Sequence, residues 1–286
     1  MRYLLILTAL LSFQSVNALD FDETKVLAFK GNVVAQFNLG VMYQDGIGIP
    51  ENDAEAVKWY LKAAEFGDAA AQFNLGIMLE KGEGVPENDA EALKWFKKAA
   101  KQEFAAAQFN VGAMYEDGVG VKKNDTEALK WFRKAAGQGD VKAQHNLGVM
   151  YNAGRGTQQS DYQAITWFRK AAEQGHVIAQ YNLGTMYGAG RGTQKNDYQA
   201  VKWYKKAADQ GNAAAQNNLG FMYANGRGIK QSYTKAYSWW SIAKTQGYAA
   251  ATTGLNALKR SMTNQQLAQA QALAARCLES NYRDCD

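Results

Sequence analysis

The side chains that could do chemistry in this 286-residue chain are few and poorly arranged for catalysis. The two histidines, His145 and His176, do not have the sequence spacing of a metal site. Ser-x-x-Lys occurs twice, beginning at Ser232 and Ser241, as it does in penicillin-recognising enzymes. The Ser-Asp-Asn and Lys-Thr-Gly sequences that accompany it in those enzymes do not occur here. We therefore predict no enzyme activity and no catalytic, cofactor-binding or metal-binding residues.

The two cysteines of the chain are Cys277 and Cys285. Their spacing is not that of a two-residue redox motif, and no histidine lies near them in sequence. In an oxidising compartment such a pair is expected to form a disulfide. This bond would hold the C-terminal tail against the last helix and stabilise the fold by roughly 2–3 kcal/mol in the chain-entropy model.

An internal repeat determines the elements that must position any site. A sequence close to Ala-Gln-x-Asn-Leu-Gly-x-Met begins at Ala35 and returns every 36 residues, without insertion or deletion, up to Ala215. Six of the seven tryptophans and six of the eight methionines keep the same period. A fixed period of this length predicts a solenoid, in which each repeat contacts mainly its neighbours.

Each repeat has the pattern of two helices. Ala35, Leu39 and Met42 fall on one helical face, and Gly46 then suits a left-handed helix end. Asn52 offers an N-cap for a second helix, which contains the repeated tryptophan. The sequence therefore predicts an all-α fold of helix, glycine loop, helix and glycine turn, repeated six times.

The first 18 residues are typical of a secretory signal, with a basic start, an apolar run and small residues before the expected cleavage point. We expect an exported mature chain, periplasmic or secreted, without a transmembrane segment. The predicted parts are the signal, a capping helix, six repeats and a C-terminal cap with a disulfide-closed tail. Their residues are 1–18, 19–31, 32–67, 68–103, 104–139, 140–175, 176–211, 212–247 and 248–286.

The motif Ala-Gln-x-Asn-Leu-Gly-x-Met-Tyr, followed by Gly-x-Gly and by Asp-x-x-Ala-x-x-Trp-[Tyr/Phe]-x-x-Ala-Ala, resembles the Sel-1-like repeat family of the tetratricopeptide superfamily. The resemblance covers about residues 21–259. It implies a right-handed α/α superhelix with helical caps that serves as an adaptor, in secreted bacterial factors and in endoplasmic reticulum quality control. One departure is Glu103, which stands where the other second helices end in Gly, and it predicts an altered turn before Phe104.

The first-helix positions opposite the predicted core face vary between copies and are candidates for a partner-binding groove. One ladder consists of Phe37, Phe73, Phe109, His145, Tyr181 and Asn217, and the next of Val41, Ile77, Ala113, Val149, Thr185 and Phe221. In the family's geometry the first helices line the concave side, so this groove should be apolar in its first half and polar or aromatic-hydroxyl in its second. The alternative is that these side chains pack on the neighbouring repeat.

An asparagine that is identical in all six copies flanks these ladders. An amide can both donate to and accept from a peptide backbone, as asparagines in related tetratricopeptide grooves do. The alternative is a structural amide, and identity in every copy favours it. The residues are Asn38, Asn74, Asn110, Asn146, Asn182 and Asn218.

Formal charge changes along the repeats from −3 and −2 to +1, +1, +3 and +4. Arg155, Arg191 and Arg227 occupy one loop position at intervals of 36 residues. We expect them to form a basic edge that steers an anionic partner, such as an acidic protein segment, a cell-wall glycan or an anionic membrane surface. Nucleic acid is not expected, because the chain has no basic-aromatic binding module.

These features together predict an exported bacterial scaffold that binds a protein or peptide in its groove, as a monomer, in envelope assembly or host interaction. One alternative is binding of peptidoglycan fragments or β-lactams, as in cysteine-rich relatives of the family. Those relatives carry paired cysteines in each repeat, which this chain lacks. A further alternative is a chaperone-like role in envelope export.

Overall fold

The computed structural model describes residues 20–285, and the predicted signal, residues 1–18, lies outside them. The described part is all-α, with fifteen helices and no strand. The helices are α1 Phe21–Phe29, α2 Val33–Asp45, α3 Asp53–Glu65, α4 Ala69–Lys81, α5 Asp89–Lys101, α6 Ala105–Asp117, α7 Asp125–Gly137, α8 Val141–Ala153, α9 Asp161–Glu173, α10 Val177–Ala189, α11 Asp197–Ala208, α12 Ala213–Asn225, α13 Tyr233–Thr245, α14 Ala251–Lys259 and α15 Asn264–Glu279.

Local sequence determines where the helices begin and end. Asn52 accepts a hydrogen bond from the backbone N–H of Glu55 at 3.1 Å and so caps α3. Gly46 ends α2 in the left-handed conformation, with φ of +68°. Both assignments were predicted from the sequence, and both are confirmed. The same pair of signals recurs at the equivalent loops of the later repeats.

The described chain forms two compact units, residues 20–140 and 141–285. Unit 1 contains α1 and the first three repeats, whereas unit 2 contains the last three repeats and the C-terminal helices. Within each unit every repeat helix packs against the next one along the chain, and α13 packs against both α14 and α15. The core of unit 1 includes Met42, Met78 and Met114, and that of unit 2 includes Trp239 and Trp240.

The glycine of the repeated motif lies under an aromatic ring of the second helix. A Cβ atom added to Gly76 would lie 2.6 Å from the ring of Phe96. This contact recurs six times: Gly40 with Tyr60, Gly76 with Phe96, Gly112 with Phe132, Gly148 with Phe168, Gly184 with Tyr204 and Gly220 with Trp240. Because no side chain fits there, glycine sets how closely the two helices of a repeat approach.

Pairs of glutamines, in which the acceptor is buried, form hydrogen bonds that were not predicted from the sequence. Gln72 donates to the Ala64 carbonyl at 3.0 Å, and its own Oε1 accepts from Gln102 Nε2 at 2.9 Å. The second bond recurs at 2.6–2.8 Å in four further pairs, Gln138–Gln108, Gln174–Gln144, Gln210–Gln180 and Gln246–Gln216. Each accepting glutamine is buried. Four of them also donate to a carbonyl of the preceding repeat at 3.0–3.2 Å, so their amides are satisfied on both sides: Gln72, Gln108, Gln180 and Gln216.

The first copy lacks this second bond, because Phe66 stands where the other copies have the donating glutamine. Gln36 Oε1 is buried and accepts no hydrogen bond from the described residues, while Phe66 is 72% exposed. We expect Phe66→Gln to raise the free energy of unfolding by about 1 kcal/mol, because it supplies the missing donor and sacrifices little burial. Urea unfolding would measure the change. Phe66→Ser is the control, and an equal gain from it would contradict this explanation.

The turn at Glu103 keeps the geometry of its glycine counterparts, so the predicted alteration of this turn is wrong. Glu103 has a φ of +62°, close to the region that Gly67 occupies at +94°. The Phe104 N–H bonds to the Ala99 carbonyl at 3.3 Å, as the Asp68 N–H bonds to Ala63 at 3.1 Å. The backbone is preserved, and the cost falls on Glu103 as left-handed strain.

Replacing Glu103 with glycine should therefore stabilise unit 1. We expect Glu103→Gly to raise the free energy of unfolding by about 1 kcal/mol, since it removes the Cβ that disfavours this conformation. Thermal and urea unfolding of the two proteins would measure the difference. Glu103→Ala, which removes charge but keeps the Cβ, should give little gain, and an equal gain from alanine would rule out backbone strain as the cause.

The predicted disulfide between Cys277 and Cys285 is present, with Cα atoms 4.5 Å apart. It closes the segment after α15, and Tyr282 of this segment lies against Gly211 at the end of the fifth repeat. Among residues 20–285, no helix combines the length and apolar character that crossing a bilayer requires.

Candidate partner-binding surface

The first predicted ladder is half-buried in unit 1. Its three phenylalanines pack on the aromatic side chain that follows the repeat tryptophan, with ring centroids 5.6–5.8 Å apart: Phe37 on Tyr60, Phe73 on Phe96 and Phe109 on Phe132. Phe73 also contacts Phe104 of the next repeat, at 5.1 Å. These rings are therefore partly covered and do not point away from the core, because the second helix supplies an aromatic platform against which they pack.

The same ladder in unit 2 is more polar and is also half-buried. His145 lies 5.8 Å from Phe168 and stacks on His176 at 4.5 Å, and Tyr181 lies 6.1 Å from Tyr204. At Asn217 the side-chain amide donates to Asn218 Oδ1 at 3.4 Å. The predicted change from phenylalanine to polar or hydroxyl-bearing residues thus occurs on a surface of the same construction.

The aromatic platform was not assigned to the site from the sequence. Its signal was the aromatic residue after each repeat tryptophan, found in all six copies: Tyr60, Phe96, Phe132, Phe168, Tyr204 and Trp240. These residues are buried and hold both the motif glycine and the first ladder. They determine how far each ladder side chain projects.

The second ladder becomes more exposed toward the C-terminus. Val41 is 7% exposed and belongs to the core of unit 1, so its predicted role as a groove contact is wrong. Ile77 is half-buried. At the other end Phe221 is 45% exposed, beside Thr185, which is also exposed. In this ladder the surface available to a partner is therefore greatest in unit 2.

The six repeated asparagines, Asn38, Asn74, Asn110, Asn146, Asn182 and Asn218, are all half-buried. Interaction with Asn74 partly offsets the rise that burial causes in the pKa of Tyr60, and interaction with Asn218 does the same for Tyr204. Asn146 Oδ1 lies 3.2 Å from His145 Nδ1. These contacts link first helices to the preceding platform and favour the structural alternative for Asn74 and Asn218.

The predicted basic edge is largely neutralised by carboxylates of the preceding repeat. Arg191 donates to Asp161 at 2.6 and 3.2 Å, and Arg227 donates to Asp197 at 2.7 and 3.0 Å. The pairing lowers the pKa of Asp197. Arg155, the third member, is half-buried. At these two positions arginine therefore joins successive repeats, and the charge expected to steer an anionic partner is balanced by the paired carboxylate.

Ser232, one of the two serines considered for catalysis, has a structural role. Ser232 caps α13 by accepting the backbone N–H of Lys235 at 3.3 Å. Within residues 20–285 no group of three or more histidine, cysteine, aspartate or glutamate side chains could hold a metal ion. Burial raises the pKa of Tyr204, which keeps its hydroxyl protonated as a donor.

His176 links the stability of unit 2 to pH. Its Nδ1 accepts the Ala179 N–H at 3.2 Å and caps α10. Burial, with the neighbouring His145 and Lys142, lowers the pKa of His176 to about 4. Because the unfolded side chain has a pKa near 6.5, the unfolded state binds more protons between these values, and stability should fall as pH decreases from 7 toward 4.

We expect His176→Asn to flatten this pH dependence. Asparagine caps the equivalent helices at Asn32 and Asn212, so the cap should survive without a titrating group. The wild-type protein should lose about 1 kcal/mol more than the variant between pH 7 and 5, a value discounted because the ring is partly exposed. Thermal unfolding across this range measures it. Parallel curves for the two proteins would contradict the assignment.

A pair of helices of 12 or 13 residues, repeated in register with the same glycine, glutamine and aromatic contacts, defines an all-α solenoid. Six consecutive segments match the Sel1 repeat family: residues 33–68, 69–104, 105–140, 141–176, 177–212 and 213–248. The chain belongs to the Sel1 repeat family. The predicted family and the predicted all-α repeat architecture are thus confirmed.

Two solved structures are similar over much of the chain. One is a protective antigen of uropathogenic Escherichia coli with an SLR fold, at 35% identity and a TM-score of 0.82 over 93% of this chain. The other is a Sel1 repeat protein from Oxalobacter formigenes, at 38% identity and a TM-score of 0.64, covering 74% of this chain and 85% of that one. The chain spans 56% of the length of the antigen. No curated protein matches the chain.

Membership defines the general class of activity. Sel1 repeat proteins are typically non-enzymatic scaffolds, and their repeats generally mediate protein–protein interaction.

Proposed function

We propose that this protein is an exported scaffold that binds a polypeptide partner along the first helices of its repeats. The observation that carries the proposal is the first ladder of half-buried side chains, which varies between copies while the motif glycine beneath it does not. Half-buried rings and flanking amides that can both donate and accept are suited to an extended peptide.

The charge of the chain suggests the character of the partner. Residues 141–286 carry 17 basic and seven acidic side chains, whereas residues 1–140 carry 15 basic and 20 acidic ones. A net +10 in the second stretch favours association with an acidic segment, at a rate that falls with added salt. We propose an acidic protein segment as the partner of unit 2.

Export is supported by the signal-like residues 1–18 and by the disulfide. The mature chain is proposed to begin at residue 19 and to act in the envelope or outside the cell. Intact-mass measurement of the protein recovered from the periplasmic fraction tests this. A mass that still includes residues 1–18 would refute the cleavage.

Site-specific photo-crosslinking tests the binding surface without weakening the core. A photoreactive phenylalanine analogue at Tyr181, in the first ladder, should form adducts with the partner. The same analogue at Tyr198, which is 66% exposed on the second helix α11, is the matched control and should form few. Adducts of equal yield at both positions, or at Tyr198 alone, would place binding elsewhere.

A further inference from the structure

One wall of a small pocket in unit 2 is formed by Gly188, at a position where earlier repeats have a longer side chain. The pocket has a volume of about 250 Å³ and opens between α10 and α12. The residues that line it include Thr185, Gly188, Tyr204, Asn218, Phe221 and Arg227. At the position of Gly188, the four preceding repeats have Gln44, Glu80, Glu116 and Asn152. The pocket is therefore the space that a longer polar side chain would fill.

The first repeat shows what the floor of this pocket can bind. There, the Tyr60 hydroxyl donates to Gln44 Oε1 at 2.7 Å and also contacts Asn74. Tyr204 is the equivalent tyrosine and keeps the equivalent asparagine, Asn218. Gly188 is equivalent to Gln44 and has no side chain that could accept this hydrogen bond. The Tyr204 hydroxyl instead donates to Thr185 Oγ1 at 3.3 Å, which is long for a hydroxyl–hydroxyl hydrogen bond.

The fourth and fifth repeats show which oxygen atoms the repeated loop arginine can bind. Arg191 Nη2 donates at once to Asp161, at 2.6 Å, and to Asn152 Oδ1, at 2.8 Å. Arg227 is the next arginine of this series, and it retains the carboxylate pair through Asp197. The equivalent of Asn152 is Gly188, so the second oxygen acceptor of Arg227 is missing at the same place.

We propose that this pocket, named here the Gly188 pocket, binds a carboxylate side chain of the partner polypeptide, a glutamate, whose oxygens take the positions of the absent amide oxygen. Tyr204 donates from the floor and Arg227 from the side. The guanidinium has five N–H groups, and its bonds to Asp197 use its Nε and Nη2 edge, which leaves donors for a second oxygen. Phe221, 45% exposed, covers the methylene groups of the ligand.

The charge of the surroundings selects carboxylate over carboxamide. Asp197 balances Arg227, but residues 141–286, which include all the residues that line the pocket, carry a net charge of +10. A carboxylate also accepts stronger hydrogen bonds than an amide from charged donors. This inference rests on the proposed function and specifies the chemistry of one of its contacts.

Nuclear magnetic resonance titration of the isotopically labelled protein tests the inference with three capped amino acids. N-acetyl-glutamate N-methylamide should give saturable shifts centred on the Gly188 amide. The glutamine analogue should bind about tenfold more weakly, and the alanine analogue should not bind. Gly188→Gln should abolish the shifts and raise the melting temperature, because the protein then supplies its own acceptor. Gly188→Ala, whose Cβ would lie 3.9 Å from the Tyr204 hydroxyl, should keep them.

The outcomes separate this inference from the scaffold proposal. Absence of saturable shifts with the glutamate probe, retention of binding in Gly188→Gln, or equal binding of all three probes would each overturn the Gly188 pocket. Crosslinking at Tyr181 does not depend on these results, so the proposed function would stand if only the titration failed. Loss of the crosslinks with retained glutamate binding would reject the scaffold proposal alone.

Discussion

Gly120→Ala should destabilise unit 1 by about 3 kcal/mol or more. Gly120 is the second glycine of the loop after α6, with a φ of +64°, and a Cβ added there would lie 2.5 Å from the carbonyl oxygen of Asp89. The loop thus lies directly against the backbone that begins α5 of the preceding repeat. Alanine would incur the left-handed cost of about 1–2 kcal/mol and would also force the two backbones apart.

Gly139→Ala is the matched control for this prediction. Gly139 has a φ of +95°, but a Cβ there would meet no atom within 4 Å. Its replacement should therefore cost only the backbone strain, about 1–2 kcal/mol. Urea unfolding would compare the variants, and hydrogen exchange at the start of α5 would locate the damage. Equal losses would show that conformation alone, and not the contact between repeats, requires glycine at Gly120.

Trp239→Ala should cost about 3–5 kcal/mol, the effect of opening a large cavity in a closed core. Trp239 is fully buried in unit 2, where α13 packs against both C-terminal helices. Its indole N–H donates no hydrogen bond to the described residues. Trp239→Phe should therefore cost less than a volume change alone suggests, about 1–2 kcal/mol, because it also removes an unsatisfied buried donor.

Trp167→Ala provides the comparison, because Trp167 occupies the equivalent position in the fourth repeat and is half-buried. There Lys170 lies 4.3 Å from the ring centroid, so the ring borders water and a cation. The loss from Trp167→Ala should be clearly smaller. Denaturant unfolding followed by circular dichroism would measure all three variants. Equal losses at Trp239 and Trp167 would contradict the role of the C-terminal helices in closing the core.

The repeat architecture was predictable because its signals are local and occur six times. The caps at Gly46 and Asn52 depend on residues within a few positions of each other, and the structure places them as predicted. At Glu103 the local signal predicted an altered turn, which the structure does not have. The sequence correctly marked it as an exception, but the tertiary contacts of its neighbours retain the turn and impose the strain on its backbone.

The surface was less predictable, because its contacts join different repeats. Arg191 and Arg227 read as a free basic edge, whereas their carboxylate partners lie 30 residues earlier in the sequence. The helical wheel gave Val41 an outward direction, but the fold of unit 1 covers it. The significance of Gly188 could not be predicted from the sequence, because only the hydrogen bonds of Gln44 and Asn152 show what a longer side chain at this position would bind.

The glutamine pairs bear on which insertions and deletions the fold can accept. Every one of their five side-chain bonds spans 30 residues and has the same direction, from the later glutamine to the earlier one. Because each donor lies in the same 36-residue copy as its acceptor, duplication or deletion of any whole copy from the second to the sixth would leave every remaining pair intact. An insertion between the two glutamines of a copy would leave a buried amide without its donor, so the hydrogen bond restrains the length of each copy.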